Sequence, residues 1–200
     1  MVNEAGMLGK IGFNSLGVGV VSNAIRVQGV DPSRIPVHLG LRIVLESASA
    51  KEAIAALEAM GMAASAHMLI GDADFAQGCE FTSKTFIKLP IDSRGRIMHS
   101  NHLHAEHTGL NEDFWLKDSF FRVEQMETLT DAITGEPSSL DVCNVFKDET
   151  EFPFAICRAQ EQGSNCATLF SIVMDLKLKE AVVIQGRPTH PDATFVLRLD

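Results

Sequence analysis

His67-Met68-Leu69-Ile70, Gln77-Gly78-Cys79-Glu80-Phe81, Thr85-Phe86-Ile87-Lys88-Leu89-Pro90 and Ile97-Met98-His99 are short runs rich in apolar residues. Gly71-Asp72, Thr82-Ser83-Lys84 and Asp92-Ser93-Arg94-Gly95 separate them. Short runs bounded by turn-forming residues read as strands, and their close spacing predicts an antiparallel meander. Upstream, Val37 to Glu46 and Lys51 to Met60 carry helical apolar spacing. Pro36 precedes the first, Ser47 or Ser49 can cap the second, and Gly61 stops it. Further upstream, Met7 to Phe13 and Val18 to Ile25 flank the turn Asn14-Ser15-Leu16-Gly17, which predicts a hairpin. Downstream, helices are predicted over Ser119–Ile133 and Ser138–Phe146. Strands are predicted over Ala167–Leu176, Glu180–Gln185 and Thr194–Leu199. Strand groups alternating with helix pairs predict an α+β fold, with residues 1–200 as a single domain of sheets covered by helices.

Composition narrows the function classes. The chain has 200 residues, 46% hydrophobic and 22% charged, as an ordinary globular domain does. The formal charge of −9 argues against non-specific nucleic-acid binding and against docking on an anionic membrane. No apolar run reaches membrane-span length, and no secretory signal opens the sequence. Four cysteines without a CxxC pattern make the reducing cytoplasm the expected location.

The densest polar cluster is His99-Ser100-Asn101-His102-Leu103-His104-Ala105-Glu106-His107. Histidines at this density invite a metal reading. The spacing is not the i, i+4 pair of a helical site, and hydrogen bonding of histidines to backbone at a strand end accounts for it more simply. No metal is therefore expected. A carboxamide such as Asn101 can point an N–H at a developing oxyanion. Asn23, ending the apolar run from Val18, is alike in kind, and by itself reads as a turn residue.

Seven blocks in order carry a family pattern. They are Gly9-Lys10-Ile11-Gly12-Phe13-Asn14-Ser15, Leu41-Arg42-Ile43-Val44-Leu45-Glu46-Ser47, Gly61-Met62-Ala63-Ala64-Ser65-Ala66 and His99-Ser100-Asn101-His102, followed by Phe152-Pro153-Phe154-Ala155-Ile156-Cys157-Arg158-Ala159, Ala167-Thr168-Leu169-Phe170 and Gly186-Arg187-Pro188-Thr189-His190-Pro191-Asp192. Together they resemble the acyl-coenzyme A:6-aminopenicillanic acid acyltransferase family, the C45 peptidase group.

The resemblance implies an N-terminal-nucleophile hydrolase: a four-layer αββα sandwich, cut autocatalytically before a Cys that becomes the chain's first residue and attacks an amide or thioester. It implies an oxyanion-hole role for Asn101, catalytic-centre positions for Ser164 and Asn165, and substrate-binding positions for Asn23 and His102. Asn165 stands where the penicillin-forming enzyme has Arg, so penicillin chemistry itself is not assigned. No cofactor is implied; a coenzyme A thioester would be a substrate. The family's nucleophile lies upstream of the Gly9 block, so the expectation is an N-terminally incomplete domain, without the first strands and the attacking Cys. Gly78-Cys79 is not a substitute, since Cys79 reads as a buried strand residue. The implied partners are a small-molecule amide or acyl thioester, and a missing N-terminal segment or another chain at the open sheet edges. The alternative is a non-catalytic relative that binds an acyl or amide ligand or a partner.

Overall fold

The structure is a computed structural model and describes residues 1–199. The chain divides into two compact units, Met1–Lys117 with Leu176–Leu178, and Asp118–Asp175 with the chain from Lys179 onward. Helices and sheets occur in both, so the α+β expectation holds.

The first unit is built on a five-stranded antiparallel sheet: β1 (Gly12–Phe13), β2 (Gly19–Ala24), β3 (Ala66–Gly71), β4 (Ala76–Phe81) and β5 (Phe86–Leu89), in that order across the sheet. Helices α1 (Val37–Glu46) and α2 (Ala50–Met60) lie between β2 and β3 in sequence. Alternation along the strands gives the sheet two chemically distinct faces. Val20, Ala66, Met68, Ile70, Cys79 and Phe81 form one buried cluster with Leu41, Val44, Ile54 and Leu57 of the helices. The intervening positions carry Asn23, His67 and Glu80 on the other face. The register sets them side by side: Asn23 opposite His67, and His67 opposite Glu80.

Local chemistry fixes the helix ends. Ser49, not Ser47, caps α2: its side chain accepts the Glu52 N–H (3.2 Å), and Glu52 returns a bond from the Ala48 N–H (3.0 Å). Asp72, just past β3, accepts the Ala50 N–H (2.8 Å) and ties the helix start to the sheet. Gly61 closes α2 at φ 68°, where a side chain would be strained, and donates to Leu57 O (2.9 Å).

The expected strand at Ile97–His99 does not form. Asp92 Oδ1 accepts the N–H groups of Arg94 and Arg96 (2.8 Å each), and this turn ends the meander at β5. The first expected strand shrinks to Gly12–Phe13, preceded by an isolated bridge between Val2 and Ile11.

The second unit holds α3 (Ser119–Asp131), α4 (Ser139–Val145) and an antiparallel sheet of β6 (Phe170–Asp175), β7 (Glu180–Arg187) and β8 (His190–Arg198), ordered β6-β7-β8. A reciprocal Ser138–Asp141 capping box starts α4. The buried Arg158 and the partly buried Arg122 both donate to Asp118.

Leu57 is fully buried in the helix-side cluster. Leu57→Ala should lower unfolding free energy by about 2–5 kcal/mol, through lost burial and a residual cavity. Urea denaturation followed by circular dichroism checks this; a loss below about 1 kcal/mol would mean the helices do not close on this sheet face.

Candidate active site

Glu80 is fully buried, in a strand whose neighbours Cys79 and Phe81 belong to the core. An ionised carboxylate there is tolerable only if its oxygens are satisfied. Four donors converge on it. Oε1 accepts His99 Nε2–H (2.7 Å) and the His104 backbone N–H (2.6 Å), while Oε2 accepts the Ala105 N–H (2.8 Å) and His107 Nε2–H (3.3 Å). Burial pushes the carboxyl up, but the bonds from His99, His104 and Ala105 outweigh it and hold Glu80 at about 2.

The hydrogen positions follow from the partners. Thr82 Oγ1 already accepts the Lys84 and Thr85 N–H groups (3.1 Å each), so its own hydrogen goes to Thr85 Oγ1 (2.8 Å). Thr85 then donates to His107 Nδ1 (2.6 Å), which leaves His107 Nε2 as the donor to Glu80. His99 meets an acceptor at each nitrogen, Glu80 at Nε2 and Ser100 O at Nδ1 (2.8 Å). The His67 ring stacks on it at 3.8 Å, nearly parallel. Burial, helped by the charge of His99, holds His67 down at about 2, so that ring is neutral. His67 Nδ1–H donates to Asn23 Oδ1 (3.1 Å). Its Nε2 faces Gly78, where an added Cβ would come within 2.9 Å, so only glycine leaves room for the ring.

Asn101 sits in the segment this carboxylate gathers. Its Nδ2–H donates to Ala24 O at the end of β2 (2.9 Å). Asn101 is therefore held at the end of the strand that carries Asn23. His102 is buried, its ring 4.6 Å from that of His104. Ser164 and Asn165 belong to the second unit. Ser164 is buried and its Oγ donates to Cys166 O (2.9 Å), closing a turn, while Asn165 is exposed. Burial raises the Cys79 thiol to about 12, which rules out a thiolate nucleophile there. Among the described residues, no group of three or more His, Cys, Asp or Glu is placed to hold a metal ion. No helix among them is long and apolar enough to cross a membrane.

A cleft with a volume of about 620 Å³ adjoins the same strand end, within the size range of small-molecule sites. Ile25, Arg26, Ser65, Glu112 and Asp113 are among its walls. Glu112 accepts the Leu103 N–H on both oxygens (3.1 Å each), and burial nevertheless raises its carboxyl above the usual range. The Arg26 guanidinium lies 4.2 Å over the Trp115 ring.

A family profile described as acyl-coenzyme A:6-aminopenicillanic acid acyl-transferase matches residues 1–190. The chain belongs to this acyltransferase family. It is 41% identical over 200 residues to the acyl-coenzyme A:6-aminopenicillanic-acid-acyltransferase 40 kDa form of Emericella nidulans. That alignment covers 98% of this chain and 56% of the relative, so the chain spans little more than half of that acyltransferase's length. Of this family member's central residues, the blocks read from sequence contain Asn101 and His99, but Glu80 and His67 escaped. Their signal was present: a charged or titratable residue inside an apolar strand, at the parity opposite the core positions.

Both depressed groups carry the same sign. Glu80 and His67 sit at about 2 in the fold, against ordinary values of 4.5 and 6.5. As pH falls, the unfolded chain takes up protons that the folded chain refuses. The stabilising difference is therefore whole above about pH 6.5 and shrinks below it, more steeply below about 4.5 and down to about 2. Glu80 alone accounts for roughly 3 kcal/mol across its window. Urea midpoints should decline on this schedule, and His67→Gln should flatten the stretch between about pH 6.5 and 4.5. Midpoints level from neutrality to pH ~3 would contradict the assignment of both groups.

Proposed function

We propose that this acyltransferase-family chain supplies the oxyanion-stabilising and substrate-holding part of an N-terminal-nucleophile enzyme. The reaction moves an acyl group from a small amide or acyl thioester to water or to an amine. The attacking group is the thiol of an N-terminal Cys contributed by a segment preceding these residues, and the fold it completes is the four-layer αββα sandwich.

The α-amine of that Cys takes the thiol proton, and the sulfur attacks the carbonyl carbon. The C=O electron pair moves onto oxygen, where the Asn101 carboxamide donates an N–H to it. Collapse expels the amine or thiol of the substrate, which leaves with the proton held by the α-amine, and an acyl-enzyme thioester remains. Water or an amine then attacks that thioester, passes its proton to the α-amine and frees the Cys.

The observation that carries this reading is Asn101 itself. Its carboxamide, read as the oxyanion donor, is anchored to Ala24 O, next in sequence to Ile25 and Arg26, which line the 620 Å³ cleft. Asn23 and His102 serve the substrate side of the site, and Ser164 and Asn165 the surroundings of the nucleophile. The Emericella nidulans relative is named for an acyl-coenzyme A donor, which supports an acyl thioester as substrate here.

A second reading, a non-catalytic relative that binds an acyl or amide ligand, is favoured by the cysteines. Cys79, Cys143 and Cys157 are buried, and burial raises the thiols of Cys79 and Cys143.

Expressing the chain behind a segment that bears the Cys at which the family is cut separates the two. The enzyme reading expects self-cleavage before Cys and turnover of an acyl thioester or amide. Asn101→Ala should then lower kcat about 100–1,000-fold, some 3–4 kcal/mol of transition-state stabilisation. Unchanged turnover in that variant would sink the oxyanion assignment, and ligand binding without any turnover would select the second reading.

A further inference from the structure

Asn101 has no rigid element of its own: it lies between strand β5 and helix α3, in a stretch without helix or strand. Its placement depends on what holds residues 99–105. The same carboxylate holds both ends of that stretch. His99, two residues before Asn101, donates a ring N–H to Glu80, and His104 and Ala105, three and four residues after it, donate backbone N–H groups. Glu112 takes the intervening Leu103 N–H. The segment is thus closed into a loop around one buried side chain, and Asn101 projects from that loop to Ala24 O.

We propose that Glu80 is a positioning residue: its carboxylate shapes the 99–105 loop and thereby aims the Asn101 carboxamide. The inference rests on the oxyanion reading of Asn101 given above.

The requirement is for a carboxylate, not merely for a polar side chain of that size. The donor count at Glu80 is imposed from outside. Backbone N–H groups cannot become acceptors, and His104 and Ala105 place one on each carboxylate oxygen. A carboxamide at this place has one accepting atom. Its NH2 would face either the His99 and His104 donors or the Ala105 and His107 donors, and in both cases a backbone N–H that closes the loop would be repelled. Strand β4 itself would feel this little, because its core contacts are made by Cys79 and Phe81 on the opposite face.

The test compares wild type, Glu80→Gln and Glu80→Asp. In the 200-residue chain, native-state hydrogen exchange by mass spectrometry or NMR reads the loop directly. Glu80→Gln should speed exchange of the Leu103, His104 and Ala105 amides at least tenfold, while Met68 and Ile70 in β3 keep their protection. In the Cys-bearing form, kcat should fall at least tenfold with KM within threefold of wild type. Glu80→Asp keeps the charge at shorter reach, should recover part of both effects, and serves if the Gln variant does not fold. Unchanged loop protection, loosening spread evenly through β3, or a kcat within twofold of wild type would overturn the proposal. If the Cys-bearing wild type is inactive, the oxyanion reading fails. If it is active and Glu80→Gln matches it, only the positioning role fails.

Discussion

One carboxylate in a fully buried place organises this end of the first unit. Burying an ionised group is among the most unfavourable acts a fold performs, and it persists only when the surroundings over-satisfy the charge. Glu80 meets that condition with two side-chain and two backbone donors, each assigned by what lies behind it. The arrangement is asymmetric in its consequences. With the carboxylate present all four donors are satisfied. Without it, several buried N–H groups lose their acceptor together, at about 1–3 kcal/mol each.

The two faces of the sheet divide the labour. The helix side is a conventional apolar core, closed by α1 and α2 and tied at Asp72 and Gly61. The other face carries the row Asn23, His67, Glu80, which a one-residue slip of register would send into the core. The hydrophobic side therefore does more than stabilise: it locks the register that lines up the polar row. Stacking of a neutral His67 on His99 and the missing side chain at Gly78 complete the row with close packing.

Much of the architecture was legible in the residues. The helices after Pro36 and before Gly61, the meander from His67 to Pro90, and the strands near the end follow from turn formers and apolar periodicity, and they stand. Ile97–His99 was misread because a short β-like run says nothing about what its side chains bind: His99 leaves the sheet to reach Glu80, and the Asp92 turn removes the chain from the edge. Of Ser47 and Ser49, only Ser49 has a Glu three residues on, and Ser49 is the residue that caps α2. Asn101 stands in one of the family blocks, which is how it entered as a candidate. Its anchor was not legible, because Ala24 and Glu80 are far from it in sequence, and a lone Glu between Cys79 and Phe81 does not announce its partners. Within the histidine cluster, the rings of His99 and His107 and the backbone N–H of His104 bond Glu80.

The claim on which this account turns is that Glu80 remains ionised inside the protein. Following the Glu80 side-chain carboxyl carbon by NMR through an acid titration of the folded chain measures it directly. The account predicts a carboxylate shift that persists to about pH 3, with no inflection near 4.5. Protonation at or above that ordinary value would contradict it, since a neutral Glu80 could not hold the His99–Ala105 loop.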